Sequence, residues 1–444
     1  MISRREFLKN SAATSLAVSA SARSYAQIIG SNDRVNFAVI GLHGRGYAHL
    51  SALGANKDTA RITHICDVDS DILATFSGAV QKQLGYTPQA DSDFRKMLQS
   101  KDIDAVSIAT PDHLHTTIAI WALQAGKSAY VEKPPSYDPH EGELLVAAQK
   151  KYAKLKVQVG SQQRSSPHTI DIIGKIHEGH IGRAYYAQTW YVNNRKSMGI
   201  GKEVSVPPTL NWDLFQGPAP RTAYKDNIHP YNWHWLRRFG TGESLNNGTH
   251  EVDIARWALQ VDFPSGVTAS GGRYAFKDDW EFYDTMVTGY TYPGGEGESK
   301  MISWEGRCCS SLRQYDRDRG VAIIGTNGSV IVDRDGYEVY DAGGKKTSEF
   351  KRDHNRTASS DTVGADAMTN AHFANFIAAI QHGEALRTPI EEGHKSVTHV
   401  QLSNIAWETN SALQIDPSNG HILDNEKAQA LTHREYEKGW ELKV

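Results

Sequence analysis

The chain has 444 residues, with 48 Lys and Arg against 51 Asp and Glu for a net charge of −3; it is long enough for two domains with separate cores and offers no basic field for a nucleic acid. Its 10 tryptophans and 19 tyrosines suit an aromatic-lined ligand cleft better than a polyanion groove. Of its three cysteines, Cys66 lies in an apolar run and Cys308 adjoins Cys309, a pattern that fits neither a disulfide framework nor a thiolate metal site.

The first thirty residues stand apart from the rest. Arg4 and Arg5, a weakly apolar Ala/Ser stretch over 11–22 and the small-residue site Ser24-Tyr25-Ala26 resemble a twin-arginine export signal. The apolar stretch is too short and too polar to span a bilayer. Residues 1–30 are therefore expected to be leader, with cleavage near Gln27 and a periplasmic destination reached after folding.

Residues 35–40 form an apolar run followed at once by Gly41, Gly44 and Gly46. That is a strand, a tight turn and a helix start, the arrangement that brings free backbone N–H groups and a helix dipole against a pyrophosphate. The G-x-G-x-x-G spacing is imperfect: His43 takes the middle position, with Gly44 and Arg45 beside it. A second strand is expected over 61–66. Asp67 stands at its end, where a carboxylate accepts hydrogen bonds from ribose hydroxyls and repels a 2′-phosphate, so NAD is expected over NADP.

Further along, helices are expected over 46–54, 70–84 and 94–100, then a buried strand over 104–110 and a loop over 111–115 carrying His113 and His115. A helix over 115–125, a strand over 127–132 ending in Glu132-Lys133-Pro134-Pro135, a helix over 139–151 and a strand over 157–160 follow. Such βα repetition calls for a doubly wound parallel sheet over residues 31–160, binding its ligand beyond the carboxyl ends of the strands.

From 161 to 444 the pattern changes. After a helix over 168–178, alternating strands at 181–191, 266–275, 284–292, 300–308, 320–325 and 329–333 are expected to form a large, mainly antiparallel open sheet with helices on one face. An insertion rich in Pro, Trp and His spans 206–239 and is too long for an idle connection. Helices are expected over 249–259, 367–382 and 390–411, the last two packing back on the first domain, before a tail with little periodicity.

Four segments carry a resemblance to a known family: Gly41-Leu-His-Gly-Arg-Gly46, Thr110-Pro-Asp-His-Leu-His115, Tyr130-Val-Glu-Lys-Pro-Pro135 and His250-Glu-Val-Asp-Ile-Ala-Arg-Trp257. Together they resemble the Gfo/Idh/MocA oxidoreductases over nearly the whole mature chain, and Glu-Lys-Pro at the end of a Rossmann strand is the most specific part. Residues 210–220 and 231–235 look like the exported branch of that family. The resemblance implies a Rossmann domain joined to an α/β domain with an open sheet, a nicotinamide cofactor, a sugar or cyclitol substrate, and a homo-oligomer, dimer or tetramer, paired through the open sheets.

Carried over by position, the resemblance makes Lys133 the lysine beside nicotinamide and substrate, and His250 the acid/base histidine. The family often has Asp four residues before that histidine; here the place is Asn246, which can orient an imidazole but cannot raise its pKa as a carboxylate does. Cofactor contacts are expected from Gly41, His43, Gly44, Arg45, Gly46, Asp67, Thr110, Pro111, His113, His115, Glu132 and Lys133. Asn246, His250, His229, Trp233 and Tyr191 are the substrate-side candidates, with His234 near them. Asp253 and Arg256 are expected to pair with each other, and Pro134 to form a fixed turn, with a cis bond considered. No metal-ligand spacing is recognised.

Oxidising a sugar hydroxyl needs a base for its proton and a hydride acceptor beside the same carbon. An imidazole supplies the first, and a desolvated lysine near a cationic nicotinamide stabilises alkoxide charge. An exported enzyme meets no free nicotinamide pool, so the cofactor must be carried through many turnovers. The leading expectation is an NAD-dependent oxidoreductase acting on a sugar, glycoside or cyclitol. The alternatives are a redox-neutral NAD-dependent glycosidase and a non-catalytic sugar-binding protein.

Overall fold

The computed structural model describes residues 34–352 and 366–444; the expected export signal lies outside them. Six parallel strands form the first sheet in the order β3-β2-β1-β4-β5-β6. They are β1 (Val35–Ile40), β2 (Ala60–Cys66), β3 (Gln89–Asp91), β4 (Ala105–Ile108), β5 (Ser128–Val131) and β6 (Val157–Val159). The order reverses between β1 and β4, and the crevice at such a reversal is where a doubly wound sheet binds its ligand. β3 is a short, partly exposed edge strand with no apolar run to announce it.

β1, β4 and β5 are buried along nearly their whole length, as continuous apolar runs covered by helices on both faces must be. Part of that cover comes from far along the chain. Phe373 and Phe376 of the helix Ala367–His382 join Phe37, Val39 and Tyr130 in one core cluster, and Tyr130 stacks on Phe373 with ring centroids 4.1 Å apart. The long helix Ile390–Thr409 reaches the same domain through Gln401, whose Nε2 donates to Ser136 O at 3.1 Å.

The second sheet runs β15-β14-β13-β12-β7-β10-β9-β8-β16-β17, with a short strand β11 paired beside β7. Its strands are β7 (Ala184–Asn194), β8 (Gly266–Gly272), β9 (Thr285–Tyr292), β10 (Lys300–Arg307), β11 (Cys309–Ser310), β12 (Arg319–Gly325), β13 (Gly328–Val332), β14 (Gly336–Asp341), β15 (Lys346–Lys351), β16 (Leu413–Ile415) and β17 (Ile422–Leu423). β7 and β10 run parallel, and the other pairs are antiparallel. One face is core: Trp304, Tyr290 and Ile302 pack with the helices Pro167–His177, Thr249–Leu259 and Ile390–Thr409. Val287 and Met301 on the opposite face are exposed, the alternation that a half-covered antiparallel sheet requires.

Three expectations need correction. Residues 111–115 are not a loop: the helix begins at Asp112 and runs to Gln124, because Pro111 takes the capping place with extended backbone and Asp112 sits in the first turn, where a carboxylate is favoured. The C-terminal tail is not structureless, since β16 and β17 extend the second sheet. β14 and β15 carry that sheet further at its other end, and a mixed, charged sequence hid them. Among the described residues no helix is long and apolar enough to cross a membrane.

Candidate active site

The cleft is built at the carboxyl ends of β1, β2, β4 and β5. Gly41 follows β1 at φ +85°, and a Cβ there would stand 2.5 Å from Ala109 O, so only glycine lets the β1 and β4 ends close up. Gly46 is held equally tightly, since its Cβ would meet Gly41 O at 2.5 Å. His43 takes the N-cap place of the helix Gly44–Ala55 without a side-chain cap, and of the first turn Gly46 N donates to His43 O at 2.7 Å. Asp67 accepts from Leu42 N at 2.8 Å and from Asp69 N at 3.0 Å, while its burial pushes the carboxyl pKa upward.

Across the cleft, the 206–239 insertion supplies the facing wall. Leu214, Phe215, His229, Pro230, Tyr231, Trp233 and His234 line it opposite Gly41, His43, Gly44, Arg45, Asp67, Thr110, Pro111, His115, Glu132 and Lys133, and Asn246 closes the end. The imidazoles of His43 and His229 meet edge to face at 5.3 Å. His43 Nε2 and Thr110 Oγ1 are buried without a hydrogen-bond partner, two polar atoms left for a ligand. These orphan groups, the glycine cradle and the Asp67 carboxylate fit a dinucleotide.

Glu132 is locked beneath this cradle. Its Oε1 accepts from Arg45 Nε at 2.7 Å and Gln162 Nε2 at 2.9 Å, and lies 3.1 Å from His49 Nε2. Burial favours the neutral acid, but Arg45, His49 and Lys133 outweigh it and hold the carboxyl well below its usual range. Glu132 is thus a structural anchor for Arg45. The peptide bond from Lys133 to Pro134 is cis.

Lys133 reaches across to the second domain. Its Nζ donates to Asn246 O and lies 3.3 Å from Asn246 Oδ1. Burial lowers its pKa to about 8, with Arg45 and Arg334 working in the same direction against Glu132 and Asp112. Asn246 sits in a π turn, Ser244–Gly248, that leads into the helix Thr249–Leu259 carrying His250. Burial, Arg334, Lys133 and Arg319 together push the His250 pKa well below 6.5, so the imidazole is neutral at ordinary pH. Its ring makes no hydrogen bond among the described residues.

Other expected site residues fall elsewhere. His113 does not line the cleft: the helical start turns its ring inward, with Nε2 2.8 Å from Phe215 O and Nδ1 3.2 Å from Phe239 O, and burial lowers its pKa to about 3. His115 does line it, with both ring nitrogens against carbonyls, Pro134 O at 2.7 Å and Thr110 O at 2.8 Å, where it braces the Lys133 turn. Tyr191 is buried in the sheet core with Arg319 over its ring at 5.1 Å, and its hydroxyl accepts from Asn193. Asp253 pairs with Arg164 at 2.8 and 2.9 Å, not with Arg256; the Ser396 hydroxyl bridges the two.

Sequence reasoning gave no role to five charged residues around Lys133 and His250. Glu243 is fully buried and pairs with Arg195 at 2.5 Å. Arg319 pairs with Glu251 at 2.8 Å. Arg334, in the turn between β13 and β14, faces His250 and Lys133, and its pKa is lowered to about 10 by burial and by Arg319. An acid seven residues before His250 was the one visible signal; Arg334 had none. Among the described residues no group of three or more His, Cys, Asp or Glu is arranged to hold a metal ion.

Comparison with known proteins gives the family. Residues 35–161 match the family model described as the oxidoreductase family with an NAD-binding Rossmann fold, Gfo/Idh/MocA. A glycosyl hydrolase family 109 protein 2 of Shewanella sp. (strain ANA-3) is 34% identical over 361 residues, 73% of this chain and 73% of that protein. The scyllo-inositol 2-dehydrogenase (NAD(+)) of Bacillus subtilis (strain 168) is 25% identical over 305 residues, 67% of this chain and 74% of that protein. Among solved structures, levoglucosan dehydrogenase in complex with NADH and levoglucosan superposes with a TM-score of 0.65 at 20% identity, over 86% of this chain and 99% of that one. The chain belongs to the Gfo/Idh/MocA family of NAD-binding oxidoreductases.

Proposed function

We propose that this protein exchanges a hydride between a tightly held NAD and a hydroxyl-bearing carbon of a sugar, glycoside or cyclitol, and that it works in the periplasm as a homo-oligomer. The observation that carries the reading is the ammonium of Lys133, partly desolvated at the end of the nucleotide cradle and clamped to Asn246 one helical turn from the neutral imidazole of His250. Names of relatives support the substrate class: one is an inositol dehydrogenase, and another was solved with levoglucosan.

NAD held in the cleft would supply the hydride acceptor for the carbon being oxidised and the donor for the reverse direction. The chain's own groups do the rest. Gly41 to Gly46 and the helix start would hold the pyrophosphate, and Asp67 would accept from the adenosine ribose. Two of the three Lys133 donors are directed at Asn246, which leaves the third for the substrate oxygen. There it stabilises the charge that develops as the hydroxyl loses its proton. His250, neutral and with no hydrogen-bond partner among the described residues, takes that proton.

A second reading rests on the 34% identical glycosyl hydrolase family 109 relative. In it, oxidation at C3 acidifies the C2 hydrogen, a base removes that hydrogen, and the C1 leaving group departs. Water then adds at C1 while C2 regains a proton, and the C3 ketone is reduced by the same hydride. The balance is hydrolysis with no net redox change, which suits a protein that carries its cofactor out of the cytoplasm.

Absorbance and mass of the small molecule that co-purifies test the common core: bound nicotinamide is expected, and failure of the protein to carry or bind any would sink both readings. A nitrophenyl glycoside panel with and without added NAD separates them. Aglycone release without NADH accumulation selects the glycosidase, whereas a keto sugar formed with equivalent NADH selects the dehydrogenase. Cell fractionation of the full chain and of an Arg4→Lys/Arg5→Lys variant tests export, and sedimentation tests the oligomer.

A further inference from the structure

Glu243 has no place in the chemistry above, yet it is fully buried at the point where the two domains meet. Its Oε2 accepts from Arg195 Nε at 2.5 Å, and its Oε1 lies 3.3 Å from Arg195 Nη2. The same Oε1 accepts from the side-chain amides of both asparagines in the π turn, Asn246 Nδ2 at 3.4 Å and Asn247 Nδ2. Each amide therefore turns its NH2 group toward the carboxylate and its oxygen away. The Asn246 oxygen points to Lys133 Nζ at 3.3 Å, and the Asn247 oxygen accepts from Arg319 Nη1 at 3.3 Å. Arg319 in turn grips Glu251, the residue after His250, at 2.8 and 3.1 Å.

An asparagine amide is nearly symmetric in shape, so nothing but its hydrogen-bond partners decides which end faces a neighbour. A carboxylate accepts and never donates, which makes Glu243 the group that sets both amides. π turns of this kind recur at functional sites, where they displace one turn of backbone toward a ligand. Here the displaced turn carries Asn246 to Lys133. The network also reaches the rim of the cleft, since Arg195 Nη1 donates to the hydroxyl of Tyr231, a partly exposed lining residue.

We propose that Glu243 is a positioning residue that holds Lys133 and the segment bearing His250 in register through Asn246 and Asn247. The inference deepens the oxidoreductase reading and rests on it only in taking Lys133 as the site lysine. Glu243→Gln replaces one acceptor oxygen by a donor, so Arg195 and the two asparagines can no longer all find acceptors. If Asn246 rotates, its NH2 group faces the Lys133 ammonium and disfavours the charged form.

The test reads Lys133 directly. The groups that act on Lys133 are Glu132 at the end of its own strand, Asp112 at the start of the preceding helix, Arg45 on the glycine turn, Arg334 in the turn between β13 and β14, and His250 and His234. None of these changes in the variants. Trace acylation of the purified protein with acetic anhydride across pH, with the Lys133 peptide quantified by mass spectrometry, yields the midpoint of its ionisation. In Glu243→Gln that midpoint is expected to fall by about half a pH unit or more, roughly a threefold change in the protonation ratio. Glu243→Asp should restore part of the shift, and nicotinamide retention should stay as in the parent, because Asp67 and the glycine turn are untouched. An Arg195→Gln/Glu243→Gln double variant removes both charges at nearly constant volume, so it leaves no unpaired ion to unfold the protein; the same fall is expected. An unchanged midpoint in either folded variant overturns the proposal, and so does failure of both to fold, which would make Glu243 a structural residue only. Because labelling needs no substrate, this outcome is independent of whether the hydride reading survives.

Discussion

Lys133 Nζ donates to the backbone carbonyl of Asn246 and lies 3.3 Å from its side-chain oxygen, which ties the end of a Rossmann strand to the helix that carries His250. As an ammonium, Lys133 stabilises negative charge on a substrate oxygen; as an amine, it does not. Its pKa is lowered to about 8, chiefly by burial, and a bound nicotinium adds repulsion that moves it further down. kcat/KM for hydroxyl oxidation is therefore expected to fall as pH rises through about 8 or slightly below. Lys133→Met should lose roughly 10²- to 10⁴-fold in kcat while keeping its nicotinamide. Activity that stays flat from pH 7 to 10 would contradict the assignment.

Arg334 governs the other limb. After burial it is the largest influence holding the His250 pKa down, ahead of Lys133 and Arg319. Removing its charge in Arg334→Gln should raise the His250 pKa toward its ordinary range. A base must be neutral to accept a proton, so the acid limb of kcat/KM should move to higher pH by the same amount. Superimposable acid limbs in the two enzymes would remove Arg334 from the electrostatics of the site.

Cofactor choice should rest on Asp67. Its carboxylate is already oriented by Leu42 N and Asp69 N and lines the cleft. Asp67→Ser removes the acceptor for the ribose hydroxyls and the charge that repels a 2′-phosphate. NAD affinity is expected to fall by about tenfold, the loss of one charge-assisted hydrogen bond, and NADP binding to gain. Titration calorimetry with both dinucleotides on apo-protein checks this, and an unaltered preference would place the ribose elsewhere.

Glu132 predicts a pH dependence of stability. Its folded pKa is depressed, so its contribution is complete above the unfolded value and disappears as pH falls from there through the folded value. Glu132→Gln should flatten this acid dependence below about pH 4, near the unfolded carboxyl range. At neutral pH the same change leaves Arg45 without its partner in a largely buried place, at a cost of about 3–5 kcal/mol. Thermal unfolding at a series of pH values measures both effects, and parallel curves for the two proteins would refute the linkage.

The local signals in this chain were physical and short in range. A six-residue apolar run before Gly41, Gly44 and Gly46 can be little else than a strand and turn against a helix start, and period-two patterns over 285–292 and 300–307 have one dry face whatever surrounds them. Lys133 and Asp67 could be placed at strand ends for the same reason. His113 could not, because the helix begins at Asp112, three residues earlier than expected, and its ring goes to Phe215 O and Phe239 O instead of the cleft.

What the sequence by itself determined is therefore the alternation of elements and the glycine turn of the nucleotide cradle, with Asp67 and Lys133 beyond the ends of their strands. The tertiary structure alone decided which charges meet: Arg164 rather than Arg256 for Asp253, and Glu243 with Arg195. Periodicity sets which face of an element is buried, and the partner of a buried charge is set by how two domains pack. Residues such as 133 and 246, or 250 and 334, come together only when separate elements dock, and no pattern along the chain encodes that distance.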